Sequence, residues 1–134
     1  MDAQQIKTQP DPFEAYYISQ AFKVGDLVVT SGQAAINLGG ELVGVGDFEA
    51  QAEQVFYNLK AVLSAAGTSL DKVVKVTIYL TDMANFPKVV ALRERYFSSP
   101  YPADTIVEVS ALALPELMIE IEATALMDGE TIAG

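Results

Sequence analysis

Three glutamates near the C-terminus are the side chains best suited to acid–base chemistry. Glu108, Glu120 and Glu122 lie in segments with the composition of β-strands, and the last two, which are separated by one residue, share a strand face. A carboxyl group in a partly buried strand has a raised pKa and can act as an acid or a base. The alternative interpretation is that all three are solvated on an outer sheet face.

A second candidate site lies in the sequence Thr30-Ser31-Gly32-Gln33, where a strand is predicted to end. A serine followed by glycine can present a hydroxyl group and an unobstructed backbone N–H to a ligand. The same sequence also fits a strand that leaves its sheet through a permissive residue. A serine-hydrolase site is excluded, because the chain has no histidine to activate Ser31.

Two adjacent tyrosines, Tyr16 and Tyr17, fall in a predicted strand and would therefore face opposite ways. One of them is expected in the core or an interface, and the other could reach a pocket. The glycines at 39–40 and at 44 and 46 do not form a phosphate-binding loop, because no Gly-Lys-Ser/Thr follows them.

Composition narrows the possible functions. The 134 residues include no cysteine and no histidine, so no metal site is expected and acid–base chemistry must use carboxylates, tyrosines, lysines or water. A formal charge of −10, from 18 acidic and 8 basic residues, argues against nucleic acid as a partner. The sequence contains neither a signal peptide nor a membrane-spanning run, and a soluble cytoplasmic protein is expected.

The helix predicted over 48–66 is the clearest element that must position these residues. Asp47 suits its N-cap and Gly67 its C-terminal end. Its apolar positions follow steps of four and three along one face. They are Phe48, Ala52, Val55, Leu59, Val62 and Ala66. The side predicted to face solvent carries Glu49, Gln51, Glu53, Gln54, Asn58 and Lys60.

The remaining pattern predicts a single α+β domain over 1–134, with a mixed sheet and two helices packed on one face. A second helix is expected over 86–97. Strands are expected over 16–22, 27–30, 73–80, 105–112 and 118–126, with a hairpin turn at 23–26. Residues 1–12 are expected to form a loose arm and 128–134 a polar tail.

Apolar residues on both faces of the later strands indicate that both faces are buried. Val107, Val109 and Ala111 would lie on one face, and Ile106 and Leu112 on the other. Two helices can cover only one face in so short a chain. The second cover is therefore expected to be another subunit.

Several stretches, in this order, together resemble the RidA/YjgF family over some 110 residues, although none of them is diagnostic alone. They are residues 18–33, 58–67, 74–82, 101–103, 107–109 and 119–123. The resemblance implies a chorismate-mutase-like fold of about six strands and a homotrimer with small-molecule sites in the clefts between subunits. Well-known members hydrolyse reactive 2-imino or enamine acids without a cofactor. Their arginine pairs with the substrate carboxylate, and a glutamate manages the attacking water.

Carried over position by position, the resemblance assigns the catalytic glutamate to Glu120 and the pocket serine and glycine to Ser31 and Gly32. The family arginine, which follows the aromatic-Pro-Ala step, is replaced by Asp104. The chain thus resembles a branch that lacks the catalytic arginine. Ile106, two residues further on, is included among the residues expected to contact ligand.

Two further pocket positions also depart from the family pattern. The pocket tyrosine aligns with Ile18, so that neighbouring Tyr17 is the candidate to replace it, and a family asparagine aligns with Val90.

The exchange of arginine for Asp104 reverses a charge. At about 4 Å and an effective dielectric near 20, a substrate carboxylate and Asp104 would repel each other by about 4 kcal/mol. Arg93 and Arg95 are not expected to compensate, because both are predicted on the exposed side of a helix. Hydrolysis of a C–N bond other than that of ordinary 2-imino acids, and metabolite binding without turnover, remain alternatives of nearly equal standing. A ribonuclease activity ranks last.

Overall fold

A computed structural model, which describes residues 1–134, contains one six-stranded sheet and two α-helices. The elements are β1 (Ala3–Ile6), β2 (Ala21–Val24), β3 (Leu27–Thr30), α1 (Phe48–Ala66), β4 (Val73–Leu80), α2 (Phe86–Tyr96), β5 (Ala103–Glu108) and β6 (Ile119–Leu126). The strand order across the sheet is β1-β2-β3-β6-β4-β5. The predicted α+β class and the two helices are confirmed, and so are the about six strands that the resemblance implied, whereas the sequence pattern alone predicted five.

The sheet is mixed, and the connections explain why. β4 and β5 are parallel, whereas every other neighbouring pair is antiparallel. A parallel pair needs a crossover that returns the chain to the starting edge, and α2 is that crossover. The last strand, β6, lies between β3 and β4, so the residues of this strand are at the centre of the sheet.

Helix α1 begins and ends where its sequence predicts. The Asp47 side chain accepts a hydrogen bond from the Ala50 N–H, and Gly67 adopts a left-handed conformation (φ 91°) that closes the last turn. Its apolar face packs on the sheet in a core that includes Phe56, Leu59 and Ile121. Burial of this stripe holds the helix against β6 and the other central strands.

Two polar residues that were predicted on the solvent side of α1, Gln51 and Asn58, are buried. The Gln51 side chain is fully buried and donates to the Glu116 and Gly44 carbonyls, while its Oε1 accepts from the Met118 N–H. Asn58 donates to two loop carbonyls, at 3.0 and 2.7 Å. The loops folded over the helix have backbone groups that need partners, and these two amides supply them.

The N-terminal residues depart from prediction. Ala3–Ile6 is not a loose arm but the edge strand β1, because its backbone pairs with β2 in antiparallel register. The predicted strand 16–22 begins only at Ala21, and the turn at Gly25-Asp26 is confirmed.

Tyr16 and Tyr17 therefore do not alternate across a strand. Tyr16 ends a short 3-10 helix, and Tyr17 is left-handed (φ 61°). Turn hydrogen bonds to Phe13 and Glu14 hold them there.

The predicted strand 105–112 is also shifted. β5 runs from Ala103 to Glu108, and Val109 donates the last bond of this register to Leu80, where β4 ends. Beyond that point the strand has no partner.

The two faces of the sheet differ in what covers them. On β6, Ile119, Ile121, Ala123 and Ala125 are buried towards the helices. The opposite side, which we call the open face, carries no helix. Leu27, Val29 and Val107, at the surface there, each remain more than a third exposed. Neither helix combines the length and hydropathy that a membrane-spanning segment needs.

Candidate functional site

Glu120 lies on the open face of β6, with its side chain directly against Gly32. A β-carbon placed on Gly32 would lie 2.3 Å from Glu120 Oε2 and 2.9 Å from its Cγ. No heavy atoms approach so closely without a clash, so the absence of a side chain at Gly32 creates the space that the carboxylate occupies. The two residues predicted to share a pocket are therefore in contact.

The Glu120 carboxyl group is electrostatically unusual. Burial raises its pKa above the ordinary value of 4.5, and the negative charge of neighbouring Glu122 raises it further. A group of this kind is half-shielded from water yet close to the surface, which suits exchange of protons with a bound molecule.

Tyr79 was not among the predicted site residues, but it lies beside the carboxylates of Glu120 and Glu122. It lies opposite Glu120 in the register of β4 and β6, and its hydroxyl donates to Glu122 Oε1 at 2.7 Å. The hydrogen bond to Glu122 raises the pKa of Tyr79, because deprotonation would place two negative charges together. Sequence spacing could not reveal this contact, since it depends on the register of two strands separated by about 40 residues.

Ser31 stabilises the segment that precedes β2. Its hydroxyl donates to the Ser19 carbonyl at 2.6 Å, and its N–H donates to the Gln20 carbonyl at 2.8 Å. The hydroxyl proton is therefore already engaged, and only the oxygen lone pairs remain for a ligand. Ser31 thus fixes the position of the chain beside Gly32.

Asp104 does not present an isolated charge. Its carboxylate accepts two hydrogen bonds from Arg93 on α2, from Nε at 2.8 Å and from Nη2 at 2.9 Å. The two side chains are only 18% and 26% exposed. The expectation that Arg93 lies on the exposed side of the helix is wrong. Arg93 follows buried Val89 by four residues, so both side chains share the face turned towards the sheet.

Arg95, by contrast, is an ordinary surface residue. Its side chain is 60% exposed and forms a 3.4 Å ion pair with Glu53. Arg95 thus lies on the exposed side of the helix, as expected, and the correction concerns Arg93 alone. That Arg95 does not replace the missing arginine stays a prediction.

The remaining predicted residues are dispersed. Ile106, like Asp104, points to the helix side of the sheet, where its register partner is buried Ile78. Tyr17 is 98% exposed, and Ile18 and Val90 are each about half exposed. Within one chain, Glu120 and Asp104 lie on opposite faces of the sheet. No cluster of three or more metal-ligating side chains is present.

Comparison with known proteins places these features in a wider group. The sequence profile described as Endoribonuclease L-PSP matches residues 6–127. A RutC family protein of Pyrococcus horikoshii is 45% identical over 117 residues, which are 87% of this chain and 90% of that protein.

A relative with a named activity is the 2-iminobutanoate/2-iminopropanoate deaminase of the mite Dermatophagoides farinae. It is 34% identical over 119 residues, which are 89% of this chain and 91% of the mite protein. Among solved structures, RidA from an Antarctic Psychrobacter species superposes with a TM-score of 0.83 at 41% identity. The match covers 92% of this chain and 98% of that one.

Proposed function

The chain belongs to the RidA/YjgF family, and from this we propose that it hydrolyses the C–N bond of a small imine or enamine, in clefts between the subunits of a homotrimer. The observation that carries the proposal is the contact between Glu120 and Gly32. It holds a carboxyl group of raised pKa at an open surface where a ligand can reach it.

The chemistry of imine hydrolysis fits such a group and needs no cofactor. Water adds its oxygen to the carbon of the C=N bond while Glu120 removes a proton from that water, and the nitrogen receives a proton in return. Glu120 then carries the hydroxyl proton of the resulting carbinolamine to its amino nitrogen, so that the C–N bond breaks as the C=O bond forms, and ammonia leaves with a carbonyl compound as the other product. One carboxyl group that cycles between acid and base serves both steps.

The division of the candidate residues between two sheet faces supports a cleft that is shared by subunits. Glu120 and Gly32 lie on the open face, whereas Asp104 and Ile106 lie on the helix side at the edge formed by β5. One chain cannot bring these groups to one ligand, but the edge of one subunit against the open face of another can. The exposed apolar residues Leu27, Val29 and Val107 on that face favour such burial.

The experiment is a direct assay for ammonia release from a panel of small imines that are generated in the assay mixture. Wild-type protein is expected to accelerate release, and Glu120→Gln is expected to lower the rate by about 10²-fold or more, because the amide cannot exchange the proton. Glu130→Gln, in the exposed C-terminal tail, is the matched control and should retain full activity. Equal rates for wild type and Glu120→Gln would rule the mechanism out.

A second candidate, a metabolite-binding protein without turnover, draws support from two apolar residues. Ile18 and Val90 occupy positions where the family pattern places a polar tyrosine and an asparagine, and both are about half exposed. A cleft with fewer polar groups can retain a ligand without orienting water for attack. Saturable ligand binding with no ammonia release from any imine would favour this second function over the first.

The name of the matched profile raises a third possibility, cleavage of RNA, which we rank last. The formal charge of −10 opposes approach of a phosphate backbone. Both arginines of α2 are also paired with acidic side chains.

A further inference from the structure

A cleft of about 350 Å³ lies on the helix side of the sheet, between α2 and the segment that leads into β5. Its apolar walls include Val90, Phe97 and Tyr101, and its charged lining is formed by Arg93, Glu94 and Asp104. The volume is that of a site for a small metabolite. The Arg93–Asp104 ion pair is thus part of a concave, largely apolar surface.

The ion pair uses only one edge of the Arg93 guanidinium group. Asp104 accepts from Nε and from one hydrogen of Nη2. A guanidinium has five N–H donors, so three remain, and no other group of the chain accepts a hydrogen bond from them. The Arg93 side chain is 26% exposed, and Arg93 is one of the residues that line the cleft.

We propose that Arg93, held in place by Asp104, is the residue that anchors the carboxylate of a small ligand in this cleft. The ligand class is a monocarboxylate with an apolar substituent. The free donors of the guanidinium match a carboxylate in a two-bond geometry, and Asp104 fixes the orientation of that group in advance.

The lining of the cleft sets the rest of the specificity. Val90, Phe97 and Tyr101 offer an apolar surface to a hydrocarbon substituent. Glu94 lines the same cleft and makes no ion pair, so a second carboxylate on the ligand would meet a like charge. A dicarboxylate is therefore expected to bind less well than a monocarboxylate of the same length.

This proposal revises the electrostatic expectation for Asp104. Repulsion of about 4 kcal/mol, as expected above, applies to an unpaired carboxylate, whereas Asp104 here is neutralised by Arg93 through two short hydrogen bonds. The pair as a whole is uncharged, so the guanidinium donors that Asp104 leaves unused, and not a net positive charge, would hold the ligand. The proposal rests on the function proposed above only for the view that the anchored acid is an imine.

The test is an NMR titration of the 134-residue chain at low ionic strength with three probes of similar size: butyrate, butyramide and succinate. Butyrate is expected to bind and to shift the Arg93 Nε–H signal, and the other two are expected to bind at least several-fold more weakly. Arg93→Gln should weaken butyrate binding about tenfold or more, the loss expected for a charge-assisted bidentate contact. Butyrate affinity of Arg93→Lys should lie between that of the wild type and that of Arg93→Gln, because lysine keeps the positive charge but cannot make two parallel hydrogen bonds to a carboxylate.

Arg95→Gln is the matched control, since it removes an arginine of the same helix from an exposed pair outside the cleft. Butyrate binding that is equal in Arg93→Gln and Arg95→Gln, or no shift of Arg93 in the wild type, would overturn the proposal. The second measurement uses wild-type protein alone and therefore decides the matter even when Arg93→Gln does not fold.

The two proposals fail separately. If butyrate binding depends on Arg93 while no imine releases ammonia, the hydrolase function is wrong and the anchor stands. If ammonia release occurs and is unaffected by Arg93→Gln, the anchor is wrong and the hydrolase function stands.

Discussion

The carboxylate of Glu120 fills the space in which a side chain at Gly32 would begin. The distance of 2.3 Å from a β-carbon at that position to Oε2 leaves no room for both. Gly32 has no left-handed backbone angle that would require glycine, so its lack of a side chain serves the carboxylate and not the turn. Contact with Glu120 is therefore the reason for a glycine at this position.

Gly32→Ala should consequently impair catalysis more than folding. The added methyl group displaces the Glu120 side chain, and we expect kcat for imine hydrolysis to fall about tenfold to a hundredfold, as for misplaced catalytic groups. The melting temperature should change little, because the carboxylate can rotate towards solvent. Gly39→Ala is the control, since its β-carbon would come no closer than 3.3 Å to a side chain. A large loss of stability without loss of kcat would contradict this view of Gly32.

The raised pKa of Glu120 predicts a pH-dependent contribution to stability. Below pH 4.5 the carboxyl group is protonated in both folded and unfolded chains. As the pH rises above 4.5, the group ionises first in the unfolded chain, so the free energy of unfolding falls until the pH passes the folded-state pKa. Denaturant unfolding of wild type and Glu120→Gln between pH 4 and 8 should show the wild type losing stability relative to the variant. A constant difference across that range would contradict the shift.

Activity should also depend on the ionisation of Glu120, but it should rise with pH where stability falls. If the carboxylate form of Glu120 accepts the proton of water, kcat rises with pH through an apparent pKa above 4.5. The pH profile of ammonia release measures this directly. A rate that falls over the same range would assign Glu120 the role of acid in the slow step.

The Arg93–Asp104 pair should be measurable by a double-mutant cycle. Both side chains are mostly shielded and the geometry is bidentate, so we expect a coupling of about 1 kcal/mol in the free energy of unfolding. The coupling should decrease at high salt. Arg95 and Glu53 provide the comparison, and their more exposed pair at 3.4 Å should couple by less than half as much. Equal couplings would indicate that the cleft pair is no better ordered than a surface pair.

Gln51 is predicted to be a large contributor to stability. Its amide makes three hydrogen bonds, to Gly44, Glu116 and Met118, and is fully buried. Gln51→Ala removes the side-chain partner of the Glu116 carbonyl and of the Met118 N–H, while the Gly44 carbonyl keeps its bond from the Asp47 N–H, and should lower the free energy of unfolding by about 2–4 kcal/mol. Gln54→Ala, which loses a single bond to Asn58, should cost less than about 1 kcal/mol by urea denaturation. Similar losses for the two variants would contradict this assignment.

Local sequence signals predicted the elements that carry their own start and stop residues. Helix α1 has Asp47, Gly67 and an unbroken apolar stripe, and both of its ends match the prediction. The strand β4 was likewise bounded correctly. The N-terminal strand was missed, because Ala3–Ile6 is polar and becomes a strand only through its pairing with β2.

The candidate site was predictable in part. The family resemblance predicted that Gly32 and Glu120 lie in one pocket. Their direct contact could not be predicted, because it depends on the register of the strands in the sheet. The orientation of Arg93 could have been predicted from the sequence, since Arg93 follows Val89, the buried residue of this helix, by four positions and so lies on the same side. Buried Gln51 and Asn58 could not have been found from helical periodicity, because their partners are loop carbonyls that a periodic pattern does not describe.

The placement of Asp104 and Glu120 on opposite sides of the sheet has a genetic consequence. If each cleft combines the edge of one subunit with the open face of another, two inactive chains can complement each other. Co-assembly of Arg93→Gln and Glu120→Gln chains in equal amounts would create about one intact cleft in four, by random choice of neighbours in a cyclic trimer. A harmful mutation in one copy of the gene would then be partly rescued by a different mutation in the other, although neither chain works alone.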